Sequence, residues 1–221
     1  MVGSRLALVI PALNESASIA MVVRRAAQLG LPIVVDDGSN DATGAIAAAE
    51  GADVVRHPVN RGYDGALSSG FARAVQLGCD TIITLDADGQ HNPGLITTFE
   101  AALESADVVV GIRDRHQRLA ESVFAWLGQR IWGISDPLCG MKGYRIDVYR
   151  RLGHFDSYRS IGTELALFAA RSGFRVTQVP VPTRPRVGAS RFGQLLRGNW
   201  MIFRALAIAL VRLPRQRRAR R

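Results

Sequence analysis

The sequence predicts an α/β fold in which helices cover both faces of a mostly parallel sheet. Short apolar runs rich in Val and Ile alternate with helical patterns through the first half of the chain. These runs are apolar throughout, which is typical of strands buried between two layers of helices. A length of 221 residues is enough for one domain with a substantial core.

The predicted elements follow a βα order. The predicted strands are Leu6–Pro11, Pro32–Val35, Asp53–Arg56, Thr81–Leu85, Val108–Val110 and Phe174–Pro182. The predicted helices are Ser16–Leu29, Asp41–Glu50, Gly65–Leu77, Pro93–Glu104, Leu119–Trp132, Glu164–Arg171 and Gln194–Arg212. Asn14 or Ser16 and the pair Asn92–Pro93 are typical helix start signals. The apolar run over residues 1–13 lacks a small-residue cleavage site, so we expect a buried strand there rather than a signal peptide.

Charge is distributed unevenly along the chain. The whole sequence has 28 basic and 19 acidic side chains, but residues 165–221 contain 13 Arg and no acidic residue. A basic C-terminal quarter fits a polyanionic ligand, a phospholipid surface or a nucleic acid. The only cysteines, Cys79 and Cys139, exclude a disulfide scaffold and favour a reduced, cytoplasmic protein.

Polar side chains follow five consecutive predicted strands. Together with Pro11, the last residue of the first strand, they are Asn14, Glu15, Asp36, Asp37, Asn60, Arg61, Asp86, Asp88, Gln90 and Arg113. Because the carboxyl ends of parallel strands meet at one edge of a sheet, and ligands bind there, we expect these side chains to lie together.

Asp86 and Asp88 are separated by one residue at the end of a strand. With the Gln90 amide they offer hard oxygen ligands that suit Mg²⁺ or Mn²⁺. The alternative is a turn that caps the next helix. Asp36 and Asp37 end a neighbouring strand, and four carboxylates on one edge repel one another unless a cation or hydrogen-bond donors compensate them. No P-loop and no dinucleotide-binding glycine motif is present, so metal and arginine would have to hold any phosphate.

Six segments, in this order, resemble family 2 glycosyltransferases. They are VIPALNES (9–16), VVDDGSNDAT (34–43), LDADGQHNP (85–93), VGIR (110–113), DPLCGMKGYR (136–145) and RPRVGASRFG (184–193). The subgroup they resemble most is the dolichyl or polyprenyl phosphate sugar synthases. The resemblance covers residues 5–193 and implies the GT-A fold, which has a Rossmann-like sheet.

The resemblance also implies roles for matching residues. The nucleotide-sugar would contact Pro11, Asn14, Glu15, Asp36, Asp37, Asn60, Arg61, Asp86, Arg186 and Arg191. Asp88, with Gln90 and Asp86, would hold the metal against the diphosphate, and Arg113 would face the donor. The family often has Lys where this chain has Arg191, whose guanidinium can bind phosphate through two hydrogen bonds. The alternative for Arg186 and Arg191 is solvated loop charge.

The need for a catalytic base depends on the acceptor. A hydroxyl acceptor requires a carboxylate within hydrogen-bond reach, and Glu164 or Asp136 could serve. A lipid phosphate is already anionic and can attack unaided. The alternatives are a helix N-terminal charge for Glu164 and a loop cap for Asp136. With Asp88 at the metal and Arg113 facing the donor, these two candidate bases, Asp136 and Glu164, complete the predicted catalytic residues.

The last predicted helix places Trp and Phe on one side and Arg on another. Such a helix, followed by the basic tail PRQRRARR, can lie in a membrane interface. The alternative is a helix packed on the catalytic domain with a solubilising tail. No segment here reaches the roughly 20 apolar residues of a membrane span. We expect a catalytic domain over residues 1–193, and an amphipathic helix and tail over 194–221.

The residues and the resemblance together predict a metal-dependent, inverting glycosyltransferase. It would move a hexose from a nucleoside-diphosphate sugar, UDP or GDP, to a polyprenyl phosphate at the cytosolic membrane face, as a peripheral protein. One alternative is transfer to a hydroxyl of a glycan or small molecule. From other classes, the alternatives are a nucleic-acid-binding protein that uses the basic quarter, and a binding module that has lost turnover.

Overall fold

A computed structural model describes residues 5–88, 94–115, 118–182 and 195–213, the last range with side chains from residue 198 onward. The strands are β1 (Leu6–Ala12), β2 (Leu31–Asp36), β3 (Asp53–Arg56), β4 (Thr81–Thr84), β5 (Val108–Arg113), β6 (Lys142–Arg145) and β7 (Val176–Val181). The helices are α1 (Ile19–Ala27), α2 (Thr43–Ala49), α3 (Gly62–Gln76), α4 (Gly94–Ser105), α5 (Leu119–Trp132), α6 (Ile146–Leu152), α7 (Glu164–Arg171) and α8 (Leu195–Arg212).

The strands form one sheet in the order β3-β2-β1-β4-β6-β5-β7. The pairs of β1 with β2 and β4, of β2 with β3, and of β5 with β7 are parallel. Strand β6 pairs antiparallel with both β4 and β5. The predicted mostly parallel α/β sheet is therefore confirmed, with one reversed strand inserted near its centre.

The core lies on both faces of the sheet, and β1 shows how one strand supplies both. Ala7 and Val9 belong to one buried cluster, which also contains Phe71 of α3 and Leu206 of α8. The alternate residues Leu6, Leu8, Ile10 and Ala12 belong to the other cluster, with side chains of α1 and α4. Because successive side chains of a strand point to opposite faces, a strand that is apolar throughout has to be covered on both.

Two elements were not predicted from the sequence, β6 and α6. The segment KGYR has four residues and no apolar alternation, yet Tyr144 is fully buried and Lys142 is only 3% exposed. Pairing with β4 and β5 makes this segment a strand, and such tertiary pairing leaves no local signal.

Helix α8 packs against α5. Ile202, Ala205, Leu206 and Ala209 join the cluster that contains Phe124 of α5. At the end of the pair, the Trp132 indole Nε1 donates to the Leu213 carbonyl at 2.8 Å. The predicted domain boundary at residue 193 lies outside the described residues. In the part of the chain that the structure describes, no helix is long and apolar enough to cross a membrane.

Candidate active site

The candidate site is the edge of the sheet where β1, β2, β4 and β5 end. Strand β6 runs the other way, so the segment that precedes it reaches the same edge. Thr84 marks the junction, since its hydroxyl donates to the Gly140 carbonyl at 2.6 Å and accepts the Lys142 amide at 3.0 Å. These five strands therefore deliver loops to one edge, as their directions require.

The loops after β1 and β2 are hydrogen-bonded to each other. The Asn14 amide donates to the Ser39 hydroxyl at 2.9 Å, and the Asn14 side-chain oxygen accepts the Asn40 amide at 2.8 Å. The Glu15 amide donates to the Thr43 hydroxyl at 2.7 Å. Asn14 has a φ of 49°, a conformation that Asn tolerates better than most residues. Pro11, half-buried in β1, stands directly before this joined pair of loops.

Asp36 is 1% exposed at the end of β2. Its carboxylate accepts the Ser39 amide at 3.0 Å and the Arg56 guanidinium at 3.1 Å. A Cβ on Gly44 would collide with this carboxylate, so a glycine is needed there to admit it. Asp36 therefore stabilises the loop after β2, because its carboxylate is already bound by the Ser39 amide and the Arg56 guanidinium.

Asp37 joins three segments. Its carboxylate contacts the His57 ring at 2.6 Å and accepts the backbone amides of Arg61 at 2.9 Å and Gly62 at 2.8 Å. The other His57 nitrogen lies 2.9 Å from the Ser69 hydroxyl of α3. Asp37 thereby satisfies two orphan amides at the N-terminus of α3. Protein groups thus compensate Asp36 and Asp37, two of the four edge carboxylates.

The segment that leads into α3 also contributes to this edge. The Asn60 side-chain oxygen accepts the Gly62 amide at 2.8 Å, and both Asn60 and Arg61 are exposed. Gly62 has a φ of 81°, in the left-handed region that favours glycine. The Arg61 side chain is exposed, but its backbone is held in place because its amide donates to the Asp37 carboxylate.

Asp86 and Asp88 follow β4. The Asp86 carboxylate lies against Gly140, where an added Cβ would come within 2.6 Å of it. Asp88 is buried, at 7% exposed. Within the described ranges, no group of three or more His, Cys, Asp or Glu could hold a metal ion. Two carboxylates fit Mg²⁺ or Mn²⁺ all the same, because such ions often bind one or two carboxylates and take their other ligands from phosphate and water. Gln90, Arg186 and Arg191 lie outside the described residues.

Arg113 and Asp136 are paired with each other. Two guanidinium nitrogens of Arg113 donate to the two Asp136 oxygens at 2.7 and 2.9 Å, and the Arg113 amide donates at 3.1 Å. A third guanidinium nitrogen lies 3.3 Å from Glu121. Burial raises the pKa of Asp136, but the hydrogen bond and charge of Arg113 outweigh it, so that the pKa is below its ordinary value. A carboxylate in this state is a weak base.

Glu164 begins α7 and is 7% exposed. Its carboxylate accepts the Ser157 amide at 2.5 Å and the Ser157 hydroxyl at 2.7 Å, and it lies 3.3 Å from the His154 ring. These contacts tie Glu164 to the segment before α7. They do not join it to Asp136, the other candidate base.

Lys142 is a buried site residue that the sequence reasoning did not assign. Its amino group donates to the Cys139 carbonyl at 2.5 Å. Burial lowers its pKa, while Cys139, Asp136 and Asp86 oppose that shift. Composition carries a signal that could have found it, since Lys142 is the single lysine of a chain that otherwise uses arginine for every basic side chain.

The sequence is similar to one family model and to proteins from an archaeon and a bacterium. Residues 7–122 match the family model described as "Glycosyl transferase family 2". An uncharacterized protein of Methanocaldococcus jannaschii is 30% identical over an alignment of 194 positions, with 80% of this chain and 80% of the relative covered. The undecaprenyl-phosphate mannosyltransferase of Micrococcus luteus is 28% identical over 201 residues, covering 80% of this chain and 82% of the relative.

A solved structure shows the same fold. It is the glucosyl-3-phosphoglycerate synthase of Mycobacterium tuberculosis in complex with Mn²⁺ and uridine-diphosphate-glucose. The TM-score is 0.76 with 25% sequence identity, over 98% of this chain and 81% of that one.

Proposed function

The chain belongs to glycosyl transferase family 2 and has the GT-A fold, and from this premise we propose that it transfers a hexose from a nucleoside-diphosphate sugar to a polyprenyl phosphate. Glycosyltransferase activity follows from the family. The donor, the acceptor and the site residues are our proposal. The observation that carries the choice of acceptor is the state of the two candidate bases, Asp136 and Glu164.

The donor would bind where the loops after β1, β2 and β3 meet. Pro11, Asn14 and Glu15 line this region from one side, and Asn60 and Arg61 from another. Asp36 and Asp37 would act mainly by positioning these loops, because their carboxylates already accept hydrogen bonds from the protein. The similarity to a protein solved with uridine-diphosphate-glucose supports a uridine nucleotide.

A divalent cation fits the carboxylate pair that follows β4. Asp88 and Asp86 would hold Mg²⁺ or Mn²⁺, with Gln90 as a further oxygen ligand. When bound, the ion would supply positive charge beside the diphosphate, where negative charge builds up as the sugar leaves. In this chain, Gly140 keeps the Asp86 carboxylate close to the segment before β6, and the near-complete burial of Asp88 restricts its motion.

The acceptor would be a phosphate because neither candidate base is arranged to remove a proton. Asp136 is held by Arg113 through two hydrogen bonds, and Glu164 is held by Ser157 and His154. A phosphate oxygen is anionic at neutral pH and attacks the anomeric carbon without a base. Attack on the face opposite the departing diphosphate inverts that carbon. Arg113 and Asp136 would then position the β5 end, and Glu164 the segment before α7.

A polyprenyl phosphate resides in a membrane, so the reaction would take place at the cytosolic membrane face. The relative that is named an undecaprenyl-phosphate mannosyltransferase supports this class of acceptor. A second candidate is transfer to a hydroxyl group, supported by the fold shared with a glucosyl-3-phosphoglycerate synthase.

A transfer assay tests the proposal. The protein is incubated with a radiolabelled UDP-hexose, Mn²⁺ and undecaprenyl phosphate, and the product is extracted into organic solvent. We expect an extractable labelled lipid with wild type and a loss of at least 100-fold with Asp88→Asn. The matched control is Asp147→Asn, since Asp147 is an exposed carboxylate on α6. A label that moves only into water-soluble acceptors would overturn the lipid phosphate in favour of a hydroxyl.

A further inference from the structure

Helix α8 has a second apolar face. Its inner face is buried against α5 and consists of Gly198, Ile202, Ala205, Leu206 and Ala209. Its outer face is exposed and consists of Trp200, Phe203, Ala207 and Val211. Spacings of three, four and four residues place the outer four on one side of the helix.

The exposure of this outer face is large. Trp200 is 64% exposed, Phe203 is 42% exposed and Val211 is 80% exposed. An ordinary surface helix has polar residues on the side away from the core, so a helix that is apolar on both sides indicates a second apolar environment. Contiguous exposed apolar surface of this kind is typical of an interaction site.

Two arginines of α8, Arg204 and Arg212, are directed away from this face. Arg204 is partly buried, and its guanidinium donates to the Tyr158 carbonyl at 2.8 Å. Arg212 donates to the Ser157 hydroxyl at 3.1 Å and lies over the Tyr158 ring. Both arginines therefore reach towards the segment before α7.

We propose that the outer face of α8, defined by Trp200, Phe203, Ala207 and Val211, docks on the interface of an anionic lipid bilayer. Trp and Phe are side chains that insert at the level of lipid headgroups. No acidic residue follows Glu164 in the sequence, whereas 13 arginines do. Five of these arginines, at positions 215, 217, 218, 220 and 221, follow α8 directly in the sequence, and positive charge of this kind complements an anionic leaflet. The inference concerns how the chain reaches a membrane and is independent of the acceptor that the site takes.

Charge and area argue against a second copy of the chain as the occupant. Two such faces would bring two arginine-rich segments together. The helix has 18 residues, so the face is about 27 Å long and about 10 Å wide, on the order of 300 Å². A stable interface needs about 800 Å² per partner. A bilayer imposes no such minimum, because only the inserted side chains have to leave water.

Vesicle co-sedimentation of the full chain tests the proposal without donor or acceptor. We expect wild type to bind vesicles of phosphatidylglycerol and phosphatidylcholine and to bind pure phosphatidylcholine more weakly. Trp200→Ser with Phe203→Ser should lower the partition coefficient about tenfold or more, because two inserted aromatic side chains are lost. Ala207→Glu, which keeps a good helix former at an exposed position, should also weaken binding to anionic vesicles.

The matched control is Met21→Ser, an exposed apolar residue on α1. It should bind vesicles like wild type, and circular dichroism should show that all variants melt like wild type. The proposal is overturned if wild type ignores anionic vesicles, or if both α8 variants bind as wild type does. It is equally overturned if light scattering shows a wild-type dimer that the α8 variants abolish while vesicle binding is unchanged.

Discussion

At the scale of single residues, Lys142 shows how burial fixes the choice between two basic side chains. It is 3% exposed, and its amino group meets the Cys139 carbonyl and lies in the field of Asp86 and Asp136. A guanidinium is larger, planar and has more donors to satisfy, so we expect an arginine at this buried position to displace its neighbours.

Replacement of Lys142 by an apolar side chain or by a larger basic one should therefore lower the free energy of unfolding. Lys142→Met removes the donor of a buried hydrogen bond and a positive neighbour of two carboxylates, and we expect a loss of about 3 kcal/mol. Lys142→Arg should not restore wild-type stability because the space is closed. Urea denaturation measures both variants. Arg150→Met, at an exposed position on α6, serves as the control and should cost under about 0.5 kcal/mol.

Asp64 predicts a pH dependence of folding. Burial, and then the charge of Asp156, raise its pKa to about 6, although the amides of Gly162 and Ile161 oppose the shift. The native state therefore holds a proton that the unfolded chain has already lost between about pH 4 and pH 6. Stability due to this group is present at low pH and falls as pH rises through that window, by at most about 3 kcal/mol.

The variant Asp64→Asn isolates this contribution, since it removes the titration. Denaturation at several pH values should show that Asp64→Asn gains stability relative to wild type between pH 4 and pH 6 and keeps a constant difference above that. Asp147→Asn, at an exposed position, should track wild type throughout. A constant difference for Asp64→Asn across the same range would contradict the raised pKa.

At the scale of elements, α3 shows what sequence reasoning can and cannot place. The helix is predicted from Gly65 but begins at Gly62, because Asp37 accepts the amides of Arg61 and Gly62 from 24 and 25 residues away in the sequence. A cap supplied by a distant residue leaves no local signal. Helices α5 and α7, by contrast, have their predicted bounds, since their apolar periodicity is local.

In the candidate site, too, features set by strand order were predictable, whereas contacts between distant residues were not. Polar residues that end parallel strands could be placed on one edge from the strand order alone. The partners of Asp37, Asp136 and Glu164 could not, because each carboxylate is bound by residues from another element. Strand β6 was missed for the same reason.

Removal of the distant cap should loosen the start of α3. Asp37→Ala leaves the Arg61 amide without its acceptor and the Gly62 amide with the Asn60 oxygen alone, and we expect a loss of about 2–4 kcal/mol together with faster hydrogen exchange at Arg61 and Gly62. Hydrogen exchange followed by mass spectrometry localises the change. Asp147→Ala, in the first turn of α6, provides the comparison and should leave exchange in α3 unaltered. Unaltered exchange in Asp37→Ala itself would show that the cap is dispensable.

At the scale of the whole molecule, charge is divided along the chain, so we expect the candidate site and the basic C-terminal quarter to bind anions in different ways. The acidic residues all lie within residues 1–164, which include all the site residues that the structure describes, whereas the charged residues of 165–221 are all arginines. Exposed basic side chains hold polyanions through interactions that salt screens. A ligand bound inside the site is screened less.

This difference predicts how the chain responds to salt. Retention on DNA, if it occurs at 50 mM salt, should be lost by 200 mM because it reflects counterion release. The rise in melting temperature caused by UDP with Mn²⁺ should persist at both salt concentrations. Strong retention on DNA that falls steeply with salt, with no stabilisation by any nucleoside diphosphate at either salt concentration, would instead favour the nucleic-acid-binding alternative.

The reversed strand β6 has a consequence for biosynthesis. Strand β4 pairs with it through Ile83 and Gly143, about 60 residues later in the chain. A ribosome needs roughly 3 to 12 seconds to add those residues, and for that time the nascent β4 has an unpaired edge. A nascent chain that ends near residue 122 already contains β4 with Asp86 and Asp88 but lacks β6, so we expect it to aggregate. Dependence on chaperones should therefore end only when β6 has emerged from the ribosome.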